Sequence, residues 1–366
     1  MNITHLTSLG IQCIAYLLMT LSFYGWGLCS FHLTGLGKDR SKVPYHSVIV
    51  WSGVFTTVLY LLAIHLFFPL RGFAVIPWWI LGVCISICYI LKTKIQFHKP
   101  DFKSICYGVF FVLIIGYVAS RSMLTPIHND SGLYHFQTIR WINEYPIVRG
   151  LGNLHGRLAF NQSIFPFTAA LNIFPYFGKG YSLTNSYLLL LLFFAQIEMI
   201  WPWLRQGTKI LQSPPEPLEI FSLLSLPVLG WWMIYKDISS PTTDFASALI
   251  QFQVFILYLR FIFFSDVHKH ELYTLFWLSG LLTTTKLSNV AFCASMLTIT
   301  LVLLLKNKSS SFREIFWLIF PPGLMAGLMM VRGYLLSGAP LYPSSIGYIE
   351  FTWSVPMKDV IYMHDE

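Results

Sequence analysis

The sequence predicts an all-α, polytopic membrane protein with about ten transmembrane helices of roughly 18 or more apolar residues each. Three observations carry that prediction. First, 55% of the 366 residues are hydrophobic and only 11% are charged, against about 25% charged in a soluble domain. Second, apolar runs long enough to cross hydrocarbon recur along the chain, and only helices or closed barrels satisfy the backbone there. Third, the polar residues between these runs are gathered into short clusters, many of them basic.

The first run, 6–30, has neither a basic leading region nor a small-residue cleavage site, so it reads as a retained helix and not a signal peptide. The cluster GKDRSK (Gly37 to Lys42) follows, then spans over 47–69 and 73–92 joined by a short PLRG turn. The basic stretch KTKIQFHKPDFK (Lys92 to Lys103) precedes a fourth span at 104–121. If each run crosses once, the two basic clusters share a side, which the positive-inside rule makes cytoplasmic. The N-terminus and the loop 122–180 then face the exoplasm.

Within that loop, Leu133, Phe136, Ile139, Trp141 and Ile142 have the spacing of an amphipathic helix lying on the membrane surface. The apolar stretch 164–177 is short and interrupted by Pro166 and Pro175, which suits an interfacial or re-entrant helix better than a crossing. Further spans are expected at 181–204, 220–235, 244–264, 272–284, 290–305 and 314–331, leaving an exoplasmic tail over 333–366. The chain divides on this reading into N-terminal helices (1–103) and a core (104–366).

The net charge of +8 does not point to nucleic acid, because the Lys and Arg residues lie between apolar runs, where topology selection places them. The six cysteines, Cys13, Cys29, Cys84, Cys88, Cys106 and Cys293, all lie in apolar segments and read as packing residues.

The longest polar interruption, Pro126 to Ser163, concentrates groups able to do chemistry: His128, Asp130, His135, Arg140, Glu144, Arg149, His155 and Arg157. Asp130 reads either as the cap of the helix that follows, or as a general base or cation ligand. Asp244 opens a helix after SSPTT, where a carboxylate complements the helix dipole or serves as a second acidic group. Lys286 lies in a tight turn, either snorkelling to the interface or holding a phosphate; Arg332 at the end of the last span could do the same. His128, His135, Arg140, Arg157 and Asn161 are further candidates for binding substrate. Asp130, Asp244, Lys286 and Arg332 come from distant parts of the chain yet fall at exoplasmic helix ends, where ionisable groups are functional candidates.

These residues, in the segments IHNDSGLYH, SSPTTDF and GLLTTTKLSN, resemble the GT-C superfamily of membrane glycosyltransferases. The combination of DSGLYH, GLGNLHGRLAFN and SGAPLYPS is also similar to a bacterial integral membrane family placed near those enzymes. The resemblance covers about 104–360. It implies an inverting enzyme of the bacterial inner membrane that moves a sugar from a polyprenyl-phosphate donor to an exoplasmic glycan, lipid or protein. Asp130 would then be the base or metal-linked acid, Lys286 the donor-phosphate contact, and a divalent cation the one cofactor that Asp130 and Asp244 leave open. The sequence departs from that pattern in having three spans before the core, and its ending at Glu366 reads as that of a shortened member. A polysaccharide polymerase relying on Arg140, Arg149 and Arg157 is the nearest alternative; a transporter or flippase would need more polar residues at mid-membrane than Gln196, Glu198, Gln251 and Gln253.

Overall fold

The computed structural model describes residues 3–36, 45–93, 102–205, 216–234, 236–264, 268–306 and 311–365. The basic cluster at 37–42 and most of that at 92–103 lie outside the described residues. Helices dominate, and no strand occurs among the described residues. In chain order they are α1 (Ile3–Thr34), α2 (His46–Ile64), α3 (Ile76–Thr93), α4 (Phe102–Ser122), α5 (Phe136–Glu144), α6 (Ile164–Ala169) and α7 (Tyr181–Arg205). Then follow α8 (Pro217–Ile234), α9 (Thr243–Phe263), α10 (Lys269–Thr285), α11 (Val290–Lys306), α12 (Phe312–Ser337) and α13 (Met357–Asp365).

Among the described residues, eight helices are long and apolar enough to cross a membrane: α1, α2, α3, α4, α7, α9, α11 and α12. Sequence runs also marked α8 and α10 as spans. The apolar part of α8 is shorter and its helix contains Pro227. The 17 residues of α10 are almost all buried within the protein. Both nevertheless run between the same two ends as their neighbours, as the contacts at those ends show.

At one end, Glu198 of α7 accepts the backbone N–H groups of His46 and Ser47, at 2.6 and 2.9 Å, where α2 begins. The first N–H groups of a helix have no partner within it, so this carboxylate caps α2 from a distant helix. Nearby, Arg260 of α9 grips Glu271 of α10 through Nε and Nη2, at 2.5 and 3.2 Å, and its guanidinium lies over Tyr45. Lys269 pairs with Glu314, which also closes a capping box with Ser311 at the start of α12.

The other end collects the loops. Arg121 at the end of α4 donates to the Ile234 carbonyl at the end of α8, at 2.9 Å. Asn185 in α7 donates to the Ser240 and Thr242 carbonyls just before α9, at 2.7 and 3.0 Å. The segment 122–180 is folded tightly over this end. Asn143 bonds the carbonyls of Leu70 and Ala169 and receives Asn172, while Tyr176 reaches Gln12 of α1. Helix α6 has only six residues, all buried, so the stretch 164–177 does not cross.

The core runs continuously from Tyr16 of α1 to Met329 of α12. Its centre is α10, where Thr274 bonds Ser52 of α2 at 2.7 Å and Trp277 stacks on Phe55. Glycine sets the closest approaches: a Cβ at Gly53 would strike the Phe23 carbonyl, and one at Gly82 would strike Ser22. Small residues at helix contacts are what membrane packing favours, because lipid gives no hydrophobic drive to association.

The Arg260–Glu271 pair is deeply placed, with side-chain exposures of 11% and 1%. Removing one partner of such a pair strands the other charge. Glu271→Ala is expected to lower stability by about 3–5 kcal/mol, read as a drop in unfolding temperature in detergent. An unchanged transition would show that Arg260 is compensated elsewhere.

Candidate functional site

At the loop-rich end lies a cavity of about 390 Å³ whose walls come from five parts of the chain. Asp130, Tyr134, Arg157, Asn161 and Gln162 come from the segment 122–180, Thr243 and Asp244 from α9, and Thr284, Lys286 and Ser288 from the end of α10 and the turn after it. Tyr342 and Pro343 of the tail and Met363 of α13 complete it.

Asp130 precedes a π-helical turn, Ser131–His135, that leads into α5. Its backbone is already helical (φ −64, ψ −22) and its side chain makes no capping bond. The carboxylate instead accepts Arg157 Nη1 at 3.2 Å. Ser131 fixes this turn to the next loop through a hydroxyl bond with Ser240. Arg157 stands on a 3₁₀ turn, Gly156–Ala159, capped when His155 Nδ1 accepts the Arg157 N–H at 3.2 Å. Its guanidinium also lies over the Tyr134 ring, 5.9 Å from the centroid.

Asp244 occupies the first turn of α9 and Lys286 the extended residue that ends α10. The two form an ion pair. Asp244 therefore has the favourable position at a helix N-terminus and a cation partner across the cavity. Lining charges balance as two carboxylates, Asp130 and Asp244, against Arg157 and Lys286. Burial, and then the Asp130 charge, push the Tyr134 phenol upward, so it stays a neutral donor.

Several expected site residues lie off the cavity. Arg140 is a surface residue, 78% exposed, pairing with Glu144 one turn on. Arg149 lies over Trp353. His128 accepts the Asp130 N–H and stacks against His135, with ring centroids 6.0 Å apart, but neither ring lines the cavity. Arg332 is buried: its Nε reaches Asn161 Oδ1 at 3.1 Å and its Nη1 reaches His65 Nδ1 at 2.7 Å. The sequence reading ended the last span at 331, whereas α12 continues to Ser337. Those six further residues keep Arg332 inside packed helix and outside the lining of this cavity, where the sequence had placed a phosphate contact. Arg332 touches the wall of this cavity through Asn161.

Tyr134, Thr243, Thr284, Tyr342 and Met363 line the cavity although the sequence did not single them out. Tyr134 has a readable signal, one helical turn beyond Asp130, and Tyr342 lies in the SGAPLYPS segment that carries part of the family resemblance. No group of three or more His, Cys, Asp or Glu residues able to hold a metal occurs among the described residues. The two lining carboxylates could supply only the sparse protein contacts of a water-rich Mg²⁺ shell.

His135 is 1% exposed and its Nδ1 has no hydrogen-bond partner. Burial pulls its pKa from 6.5 down to about 4, against a smaller opposing effect of Asp130. A depressed folded-state pKa gives stability that is complete above the unfolded value and is lost as the folded one is approached. Stability should therefore fall between about pH 6.5 and pH 4, and His135→Phe should flatten that part of the profile. An unaltered slope would place the acid sensitivity elsewhere.

A family model described as "Domain of unknown function (DUF8201)" matches residues 11–366. No curated protein and no solved structure matches the chain.

Proposed function

Since the chain belongs to this family of unknown function, its activity has to be read from its own residues, and we propose that it is a membrane glycosyltransferase of GT-C type. On this reading the bundle crosses the bacterial inner membrane about ten times, α8 and α10 included, each crossing needing about 30 Å of hydrocarbon. The loop-rich end is exoplasmic. The donor is a sugar on a polyprenyl phosphate, and the acceptor is a hydroxyl of a glycan, lipid or protein.

One observation carries the reading: two carboxylates and two cations from distant segments share a single polar cavity at the end of an apolar bundle. Substrates whose reacting part is polar and whose anchor is a lipid need both features at once. Asp130 takes the proton of the acceptor hydroxyl, and the oxygen attacks the anomeric carbon. The bond from that carbon to the phosphate oxygen breaks on the opposite face, giving inversion, and the electron pair leaves with the phosphate. Lys286 and Arg157 hold that phosphate in exchange for their carboxylate partners; Lys suits it as a point charge and Arg as a fork. Asp244, released from Lys286, helps to orient the acceptor or a cation. Tyr134 donates a hydrogen bond beside Asp130.

The arginine-based polymerase has less support, because Arg140 and Arg149 point elsewhere and only Arg157 of the three lines the cavity.

The direct test is turnover by the purified protein in lipid vesicles with a polyprenyl-phosphate-linked sugar and a hydroxyl acceptor. Asp130→Asn should lower kcat by about 10²–10⁴-fold, the usual worth of a general base. Lys286→Ala should mainly raise KM for the donor. Full turnover by Asp130→Asn at equal folded protein would rule out the proposed base. Complementation of the host's surface-glycan profile by the wild type and not by Asp130→Asn should agree.

A further inference from the structure

Behind the Asn161–Gln162 wall is a second, much smaller cavity of about 20 Å³. A cavity needs about 10–15 Å³ to hold one water-sized particle, so this one admits a single small guest. Its polar lining consists of His65, Thr138, Asn161, Gln162 and Arg332, and no carboxylate lines it.

Arg332 is 3% exposed. It bonds Asn161 and His65, and Nη2 makes no bond to a described residue. Neither partner carries a negative charge. His65 Nδ1 accepts from Arg332, so its Nε2 carries the proton that goes to the Tyr145 carbonyl, at 3.2 Å. Burial, then the Arg332 charge, hold the His65 pKa at about 3, and the ring is neutral. A buried charge without a counter-charge is costly enough that proteins nearly always pair it. Two buried groups of residues in the same lining have no partner: the Thr138 hydroxyl and Gln162 Oε1. Buried polar atoms of that kind normally have a partner that is protein, water or ion.

We infer that this small cavity is a buried halide site, in which a chloride-sized monoanion neutralises Arg332 and accepts from the Thr138 hydroxyl. Gln162 joins it through Nε2, since its amide fits equally turned end for end and no hydrogen bond to the amide nitrogen opposes that turn. The guest must be small because the cavity takes one particle, and anionic because the only formal charge on its lining is positive. A water would satisfy Thr138 and Gln162 but leave Arg332 uncompensated. The site is structural in its effect: it fixes the rear of Asn161 and Gln162, whose other sides line the larger cavity. The inference is independent of the transferase reading.

The test uses the full chain in detergent, unfolded thermally in sodium chloride or sodium gluconate at matched ionic strength. Anything bound to the folded state alone raises its stability with concentration, so the unfolding temperature should rise and saturate in chloride only. Thr138→Val keeps the shape and removes one charge-assisted hydrogen bond, which should weaken the apparent chloride affinity about tenfold. Arg332→Gln should abolish the chloride response. Crystals grown in sodium bromide should show an anomalous peak between Arg332 and Thr138. Equal unfolding in chloride and gluconate, a response that survives Thr138→Val undiminished, or a peak without anomalous signal would overturn the assignment in favour of water. Should Arg332→Gln fail to fold, Thr138→Val and the bromide peak still decide it.

Discussion

Hydrocarbon offers no partner to an open N–H or C=O, and this constraint arranges the whole protein. Regular helix fills the apolar bundle, and irregular backbone is driven to its ends. The segment 122–180 therefore cannot trail as an unpaired loop against the bundle. It is bound down by side chains that act as backbone partners: Asn143 on the Leu70 and Ala169 carbonyls, Asn172 on the Gly180 N–H, Asn161 on the Met329 carbonyl. A rigid layer results at one end, and the residues with chemistry are carried by that layer and by the helix termini beneath it. Glu198, within α7, likewise satisfies the start of α2.

Charge is used differently at the two ends. Arg260 and Glu271 are nearly sealed from solvent and lock α9 to α10. The cavity pairs are more open, with Asp244 62% and Lys286 38% exposed. Exposed pairs contribute about 0–1 kcal/mol to stability, so exchanging such a partner for the phosphate of the proposed donor would cost the fold little. Arg332 is a third case, a buried cation held by neutral groups. Its place just behind Asn161 couples the electrostatics of the small cavity to the wall of the large one.

Much of this architecture could be read from the chain. Apolar runs placed the helices, and alternation between two ends brought Asp130, Asp244 and Lys286 to the same end, where the structure gives them one cavity. Helix length was harder to read. Hydropathy falls at Arg332, so the expected span ends nearly two turns early, although a buried arginine continues the helix when neighbours such as Asn161 and His65 receive it. The partners of the candidate residues were not legible at all. Nothing in local sequence links Asp130 to Arg157, which depends on how the segment 122–180 folds back on itself, or Asp244 to Lys286, which depends on how two helix ends meet. Tyr342 and Met363 were hidden for the same reason: the tail folds back over the cavity through α13 and the 3₁₀ turn at Gly156–Ala159. His135 is a substrate-binding candidate by sequence, yet its turn continues into α5 and the ring is buried.

The central claim is that a lipid-linked sugar phosphate binds in the charged cavity. Photo-crosslinking tests it most directly, using a polyprenyl-phosphate sugar analogue with a photoreactive group on the sugar and peptide mapping of the purified protein in vesicles. The account predicts labels in peptides containing Asp130, Arg157, Lys286 or Tyr342, competed by unlabelled donor. Labelling confined to the opposite end, around Glu198 and Arg260, or labelling that unlabelled donor does not reduce, would contradict it.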